Sequence, residues 1–333
     1  ATGVGRWLQT ARPVNATVDI AALETGLHSL DLYAMSARDY AETLRDRLFV
    51  PTAALLRDAA PPDLVLWPET AMPHVKVSGD DLDASRARIG ELAALSPAAA
   101  SRILLGVLVV RNERLTPVAV LAEPGPGTVS GDYEKQRLVP GGEFLPLTRV
   151  LPAAIGDWLF DVFDAALGSA PNFLPGSPRP PLRTASGVQF GALMCYDNAF
   201  PEPAARLVGA GARFLVVLSN ETWFRGGAEL EQLVAMTVCR ALELGVPIVR
   251  ATTDGWTVVV GADGQLGDGL EPAPLPRRET RILRTKLPIG AAAEVPMAPW
   301  RAALGPLAAL WLGAAILHAV VRWARLRSDR KAA

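Results

Sequence analysis

Seven short apolar runs, separated by stretches of helical spacing, constrain this chain more than any other feature. They read "VDIAAL" (18–23), "DLVLWP" (63–68), "RILLGVLVV" (102–110), "VQFGALMCY" (188–196), "RFLVVLSN" (213–220), "PIVRATT" (247–253) and "WTVVVGA" (256–262). Most are rich in β-branched residues and lack apolar/polar alternation, the pattern of strands covered on both faces. Between them, residues 36–59, 81–95, 201–211 and 228–245 carry helical spacing, with Pro51 expected to kink the first and Gly245 to close the last. Strands alternating with helices specify an α/β layered fold, and 333 residues can bury one large core or two ordinary ones.

Composition narrows the function classes. A net charge of −1 leaves no electrostatic footprint for nucleic acid. Two cysteines can form one disulfide at most, and His28, His74 and His318 lie far apart without ligand spacing, so no metal site and no cofactor is expected. The mean hydropathy of +0.22 points to a membrane-facing part. Residues 302–321, "AALGPLAALWLGAAILHAVV", hold no formal charge apart from a titratable His318 and are long enough to cross a bilayer. Trp300 and Trp323 flank them, and Arg322, Arg325, Arg327, Arg330 and Lys331 follow closely. The positive-inside asymmetry then puts the tail in the cytoplasm and the preceding residues on the outer side. A buried core helix is the alternative. The expected division is a segment 1–13, a catalytic domain 14–298, a transmembrane helix 299–323 and a basic tail 324–333.

Three polar positions follow strand-like runs. Glu69 comes directly after Trp67-Pro68, Lys135 and Glu143 bracket a Pro-Gly-Gly turn, and Cys195 stands between a strand and a helix expected near Pro201. Each is weak alone: a glutamate there is commonly a solvated terminus, a lysine commonly surface, a cysteine commonly core. As a set they offer a nucleophile, a base and a cation. A thiol needs a base to become nucleophilic, and Glu69 can serve. Lys135 and the Tyr196 N–H can meet a developing oxyanion, and Glu143 can orient Lys135. Cys239, mid-helix, is expected in the core. Residues 148–183 leave two readings open: a short helix packed through Trp158, Leu159, Phe160, Val162 and Phe163, or a surface arm meeting lipid or an apolar substrate.

Glu…Lys…Cys in these contexts resembles the carbon–nitrogen hydrolase (nitrilase) superfamily. "WPET", "KQRLVPGGEFLP", "CYDNAFPE", "LSNETWF", "RALELGVPIVRATTDG" and the final apolar stretch resemble, within it, the apolipoprotein N-acyltransferases. The resemblance runs from about residue 14, without the bundle of membrane helices that precedes the catalytic domain in that family; the N-terminal Ala agrees with such a bundle having been cut off or left out. It implies a nitrilase-like α-β-β-α sandwich followed by one C-terminal transmembrane helix. It implies catalysis by Glu69, Lys135 and Cys195 through a thioester, supported by Glu143, Tyr196 and Asp197. The acyl donor would be a membrane phospholipid, and the acceptor the α-amine of an S-diacylglyceryl cysteine of a lipoprotein. The place would be the outer, periplasmic face of a bacterial inner membrane. Trp223, Phe224, Trp158 and Phe160 are candidates for the acyl-chain path.

The sequence departs from the family at Asp197, where a glutamate is usual, at "ALETGLHSLD" (22–31), and at the first glycine of "GGE", where Phe-Gly-Glu is commoner. A membrane-tethered amidase using water as acceptor, and a non-catalytic binding protein on the same fold, are the alternatives.

Overall fold

Burial on both faces decides the topology. The computed structural model describes residues 13–71, 76–78, 101–111, 114–123, 128–146, 151–167, 173–224, 227–274, 279–290, 306–316 and 318. The chain divides into two units, Ala1–Glu294 and Val295–Ala333.

In the first unit, β1 (Val14–Glu24), β2 (Leu64–Leu66), β3 (Lys76–Ser78), β4 (Arg102–Arg111), β5 (Arg114–Glu123), β6 (Thr128–Glu134) and the late strand β13 (Arg281–Gly290) form one sheet in the order β13-β1-β2-β4-β5-β6, with β3 on β4. β7 (Leu182–Arg183), β8 (Gln189–Met194), β9 (Phe214–Ser219), β10 (Ile248–Thr252), β11 (Thr257–Val260) and β12 (Leu266–Leu270) form the second, in the order β12-β11-β10-β9-β8-β7. The centres of both are parallel: β1-β2-β4 in one, β8-β9-β10 in the other. β1 meets β10 and β6 meets β8 where the sheets face each other.

Helices cover the outer faces. Ile103, Leu105, Val107 and Val109 of β4 pack with Leu32, Tyr40, Leu44, Leu48, Phe49 and Leu56 from α1 (Ser29–Ala34), α2 (Ala37–Leu44), a π turn (Arg45–Phe49) and α3 (Val50–Leu56). The kink expected at Pro51 is that π turn: proline cannot donate its N–H, and the helix widens just before it. α4 (Ala153–Leu167) lies in the irregular segment, α5 (Pro201–Gly209) packs on β8 and α6 (Glu229–Leu244) on β11. Gly245 closes α6 at a φ of +63°. This is the helix–sheet–sheet–helix sandwich of a nitrilase-like α/β fold.

All seven runs contain strands. β5, interrupted by Pro117, and β13, which alternates apolar and polar residues in "RILRTKLPIG", were not among them. β13 has one wet face, so its period-two signal replaces the continuous apolar run. Cys239 is a correction: it is exposed on α6, because the buried stripe runs through Leu230, Leu233, Val234, Thr237, Ala241 and Leu244 and leaves position 239 outside. The helix expected over 81–95 lies outside the described residues.

Of the second unit, residues 306–316 are helical and exposed, including Leu310, Trp311 and Ile316, and so is His318. No helix among the described residues is long and apolar enough to cross a membrane. Trp300, Trp323 and the basic tail lie outside the described residues.

One crossing segment ties the irregular stretch to the core. The Phe173 N–H donates to the Glu143 carbonyl (2.9 Å), Leu174 to Leu115 (2.7 Å) and Gly176 to Lys135 (2.7 Å). The buried Glu134 carboxylate accepts from the Ser177 N–H (2.6 Å) and the Arg179 guanidinium. A Cβ on Gly176 would fall 2.1 Å from the Cβ of Glu134. Gly176→Ala therefore forces two backbones apart, and urea unfolding is expected to show a loss of about 1–3 kcal/mol. An unchanged midpoint would contradict this close approach.

Candidate active site

Three strand ends deliver the candidate groups to one place. β2 is short because Trp67 and Pro68 end it: the Trp67 N–H still donates to Leu104 (2.9 Å), its indole N–H donates to Thr52 Oγ1 (2.9 Å), and proline stops the ladder. Glu69 follows, buried, and Thr70 turns the chain at a φ of +55°. Gly106 on β4 makes room for the turn; a Cβ there would come within 3.2 Å of the Thr70 nitrogen.

Lys135 follows β6, with its N–H on the Pro117 carbonyl (2.9 Å). Its side chain is 1% exposed, and its ammonium donates to Glu69 Oε1 (3.0 Å) and Glu143 Oε1 (2.6 Å). The Pro140-Gly141-Gly142 turn, with Gly141 at a φ of +79°, folds Glu143 back so that its Oε2 accepts the Val139 N–H (2.8 Å). Glu69 Oε2 accepts the Asn220 N–H (3.2 Å). Burial opposes the ammonium, but the carboxylates of Glu69 and Glu143 hold Lys135 protonated, well above the ordinary lysine range. Burial raises the Glu143 carboxyl, Lys135 lowers it and Glu69 raises it, with the net shift upward.

Cys195 follows β8 and opens a tight 3₁₀ turn (Cys195–Ala199) at a φ of +45°. A left-handed backbone is uncommon for a residue with a Cβ, and among the described residues only Thr70 and Cys195 adopt it without being glycine. Both flank the same site. Burial, then the charge of Glu69, pushes the thiol up to about 12, with Lys135 pulling the other way. The thiol is therefore protonated at rest and needs a base on the way to reaction.

Asp197 is the joint of the site. It is fully buried, and its two oxygens take four donors: Gln136 N–H (3.1 Å) and Arg137 N–H (2.7 Å) on Oδ1, Tyr133 O–H (2.9 Å) and Met194 N–H (3.3 Å) on Oδ2. It thus fastens the chain on both sides of Lys135 to the turn that displays Cys195. The Tyr196 ring stacks edge-on with Phe200 (5.2 Å between centroids), and Arg137 lies over Phe200 (5.0 Å).

The apolar candidates are less tightly grouped. Trp223 is exposed in the turn after β9, three residues beyond Asn220, and meets His28 edge-on at 5.3 Å. That contact brings in the divergent stretch after β1. Phe224 is half-buried beside it. On α4, Trp158 is exposed and Phe160 half-buried; neither makes a ring contact with the centre among the described residues. Tyr133, Thr70 and Asn220 escaped the sequence reading, although "YEK", "PET" and "LSNE" carry polar residues at strand ends, the same signal that singled out Glu69. Among the described residues no cluster of His, Cys, Asp and Glu could hold a metal ion.

Asp197 carries a pH signature. Burial raises its carboxyl to about 6 despite Lys135 and its four donors, above the roughly 3.9 of an unfolded chain. The folded state then binds the extra proton between those values, so stability declines as pH rises from about 4 to 6 and is level above. Urea unfolding of the protein and of Asp197→Asn across pH 4–8 is expected to differ by a component of about 3 kcal/mol over this window. Parallel curves would refute it.

The chain was compared with known proteins. It is 33% identical over 279 residues to the apolipoprotein N-acyltransferase of Azotobacter vinelandii, covering 83% of this chain and 50% of that protein. Against the apolipoprotein N-acyltransferase of Geobacter metallireducens it is 34% identical over 217 residues, 62% of this chain and 37% of that protein. The chain therefore spans half or less of the length of these curated relatives. An amidase from Nesterenkonia sp. shares the fold with a TM-score of 0.55 at 23% identity, covering 84% of this chain and 93% of that one. A carbon-nitrogen hydrolase from Helicobacter pylori G27 does so with a TM-score of 0.54 at 16% identity, covering 82% and 89%. Residues 32–280 match the carbon-nitrogen hydrolase family, and the chain belongs to that family.

Proposed function

We propose that this chain is an N-acyltransferase of lipoprotein maturation, moving an acyl chain from a membrane phospholipid through a thioester on Cys195 to the α-amine of an S-diacylglyceryl cysteine. The observation that carries the reading is the buried Lys135 ammonium clamped by Glu69 and Glu143 beside the Cys195 thiol. The likeness to apolipoprotein N-acyltransferases supports the choice of donor and acceptor.

The groups supply each step. Glu69 takes the thiol proton as the sulfur forms a bond to the ester carbonyl carbon. The carbonyl oxygen becomes an oxyanion, met by Lys135 and the Tyr196 N–H. Collapse breaks the C–O bond, and Glu69 returns the proton to the departing alcohol, the lysophospholipid. In the second half the amine attacks the thioester, Glu69 accepts its proton, the C–S bond breaks and Cys195 leaves as a thiol again. Glu143 and Asp197 hold Lys135 and the nucleophile turn in register. Trp223, Phe224, Trp158 and Phe160 line the acyl-chain path, with Trp223 and Trp158 offering exposed apolar surface.

The site works at the outer face of a bacterial inner membrane, tethered by one transmembrane helix over 299–323. The uncharged stretch 302–321 and the basic residues after it support this placement, as does the helical, exposed course of residues 306–316. Tethering raises the effective concentration of two substrates that are themselves held in the membrane.

Mass spectrometry after incubation with phospholipid tests the reading. An acyl mass on Cys195 is expected, cleared when a diacylated lipopeptide is added. Cys195→Ala is expected to abolish it, and Cys239→Ala, on the exposed side of α6, to retain it. Equal loss from both substitutions would sink the assignment, and clearance by water alone would make the enzyme an amidase-type hydrolase.

A further inference from the structure

β9 ends at Ser219 and runs on into Asn220 and Glu221, all three polar and buried. Parallel pairing sets Met194 beside Leu218 as the last pair of the ladder; Ser219 then ends β9, and Cys195 opens the turn after β8. β9 packs against that turn, which makes the last residue of the strand a neighbour of the nucleophile. Ser219 is 1% exposed, and among the described residues its hydroxyl makes no hydrogen bond of ordinary geometry. A buried hydroxyl without a partner carries the cost of desolvation with nothing to offset it.

Two acceptors stand within its reach, the Cys195 sulfur and the Glu221 carboxylate, and each is drawn toward its charged form by this hydroxyl. Glu221 Oε1 is occupied by the Arg250 guanidinium, while Oε2 has no partner among the described residues. The surroundings fix the geometry. Asn220 is held by its N–H on Glu69 Oε2 and by Thr222 (2.8 Å) and Thr253 (2.9 Å) hydroxyls on its Oδ1. Arg250 is further held by Thr237 Oγ1 (2.8 Å), which also accepts from Asn198 in the nucleophile turn (2.8 Å). A Cβ on Gly255 would meet Glu221 Oε2 at 2.1 Å, so the following loop is pressed onto that carboxylate. The Ser219 hydroxyl is the movable part of this rigid frame.

We propose that Ser219 is a further catalytic residue: its hydroxyl turns between Glu221 and Cys195 and donates a hydrogen bond to the sulfur as negative charge develops there. One proton serves two acceptors. While Cys195 is a neutral thiol, Glu221 is the better acceptor; once Glu69 draws the thiol proton away, the sulfur is. Arg250 keeps Glu221 compensated when the hydroxyl leaves it. The inference rests on the reading of Cys195 as the nucleophile.

The test is the rate of Cys195 alkylation by iodoacetamide against pH, on the full chain carrying Cys239→Ala. In that reaction the sulfur–carbon bond forms, iodide leaves and the thiol proton goes to Glu69 or solvent. Ser219→Ala deletes an unpartnered oxygen and leaves the core packing, so it is expected to fold as the parent does. Its alkylation is expected to be about tenfold slower at any pH below the thiol's titration, with the profile displaced upward by about one unit. Ser101→Ala, which removes another buried, unpartnered hydroxyl just before β4, at the start of the sheet's parallel strands and not at the end that delivers Glu69, is expected to leave the profile unchanged. Superimposable profiles for Ser219→Ala and the parent overturn the role of Ser219 and leave the nucleophile standing. A parent that is folded and unlabelled at Cys195 overturns both.

Discussion

A lysine ammonium with 1% of its side chain exposed is the condition on which the rest of this structure depends. Removing an ammonium from water costs several kcal/mol even after relaxation, and only close, hydrogen-bonded counter-charges offset it. Lys135 has two, and neither is near it on the same strand: Glu69 sits 66 positions earlier and Glu143 returns over a glycine turn. Glu69 arrives at the end of β2 and Lys135 at the end of β6, with β4 and β5 between them in one sheet. The strand order and the charge triad therefore require each other. A slip of one residue along β6 would turn Lys135 to the opposite face and leave two carboxylates buried together.

Asp197 performs for the backbone what Lys135 performs for the charges. A family glutamate would carry its oxygens one methylene further from the nucleophile turn. With aspartate in its place, the loop after β6 and the turn after β8 lie close enough for one short carboxylate to accept Gln136, Arg137, Tyr133 and Met194 together. Tyr133 supplies the one side-chain donor of the four, and the other three are backbone N–H groups. The cost is visible in the raised carboxyl of Asp197, whose burial outweighs four favourable bonds.

Fold and centre were legible to different degrees, for physical reasons. Strands buried on both faces announce themselves as apolar runs, so the heart of each sheet could be read directly. β13, with one wet face, and β5, with a proline inside it, could not, because their local patterns compete with those of loops. Glu69, Lys135, Glu143 and Cys195 were legible as charged or nucleophilic residues at strand ends. Ser219, Asn220 and Tyr133 were not, because neutral polar residues at or just past a strand's end are ordinary there until tertiary pairing shows what they face. Packing of β9 against the turn after β8 makes Ser219, at the end of its strand, the neighbour of Cys195.

The resting thiol adds a last constraint. Held near 12 by burial and by Glu69, Cys195 is not a standing thiolate. Oxidants and bystander electrophiles, which attack the thiolate form, react with it more slowly than with an ordinary thiol. In the proposed mechanism the acyl carbon accepts the sulfur while Glu69 accepts the proton, so nucleophile and substrate are made ready in the same event. The same economy applies to the thioester. In the proposed mechanism hydrolysis and transfer use identical groups up to that intermediate, and the same base would serve water or an amine. What separates the two outcomes must therefore act on access, through the walls that decide whether water or a lipid-borne amine meets the thioester first. In this chain the edge-on His28–Trp223 pair joins the stretch after β1 to the turn after β9, three residues beyond the Asn220 whose N–H holds Glu69.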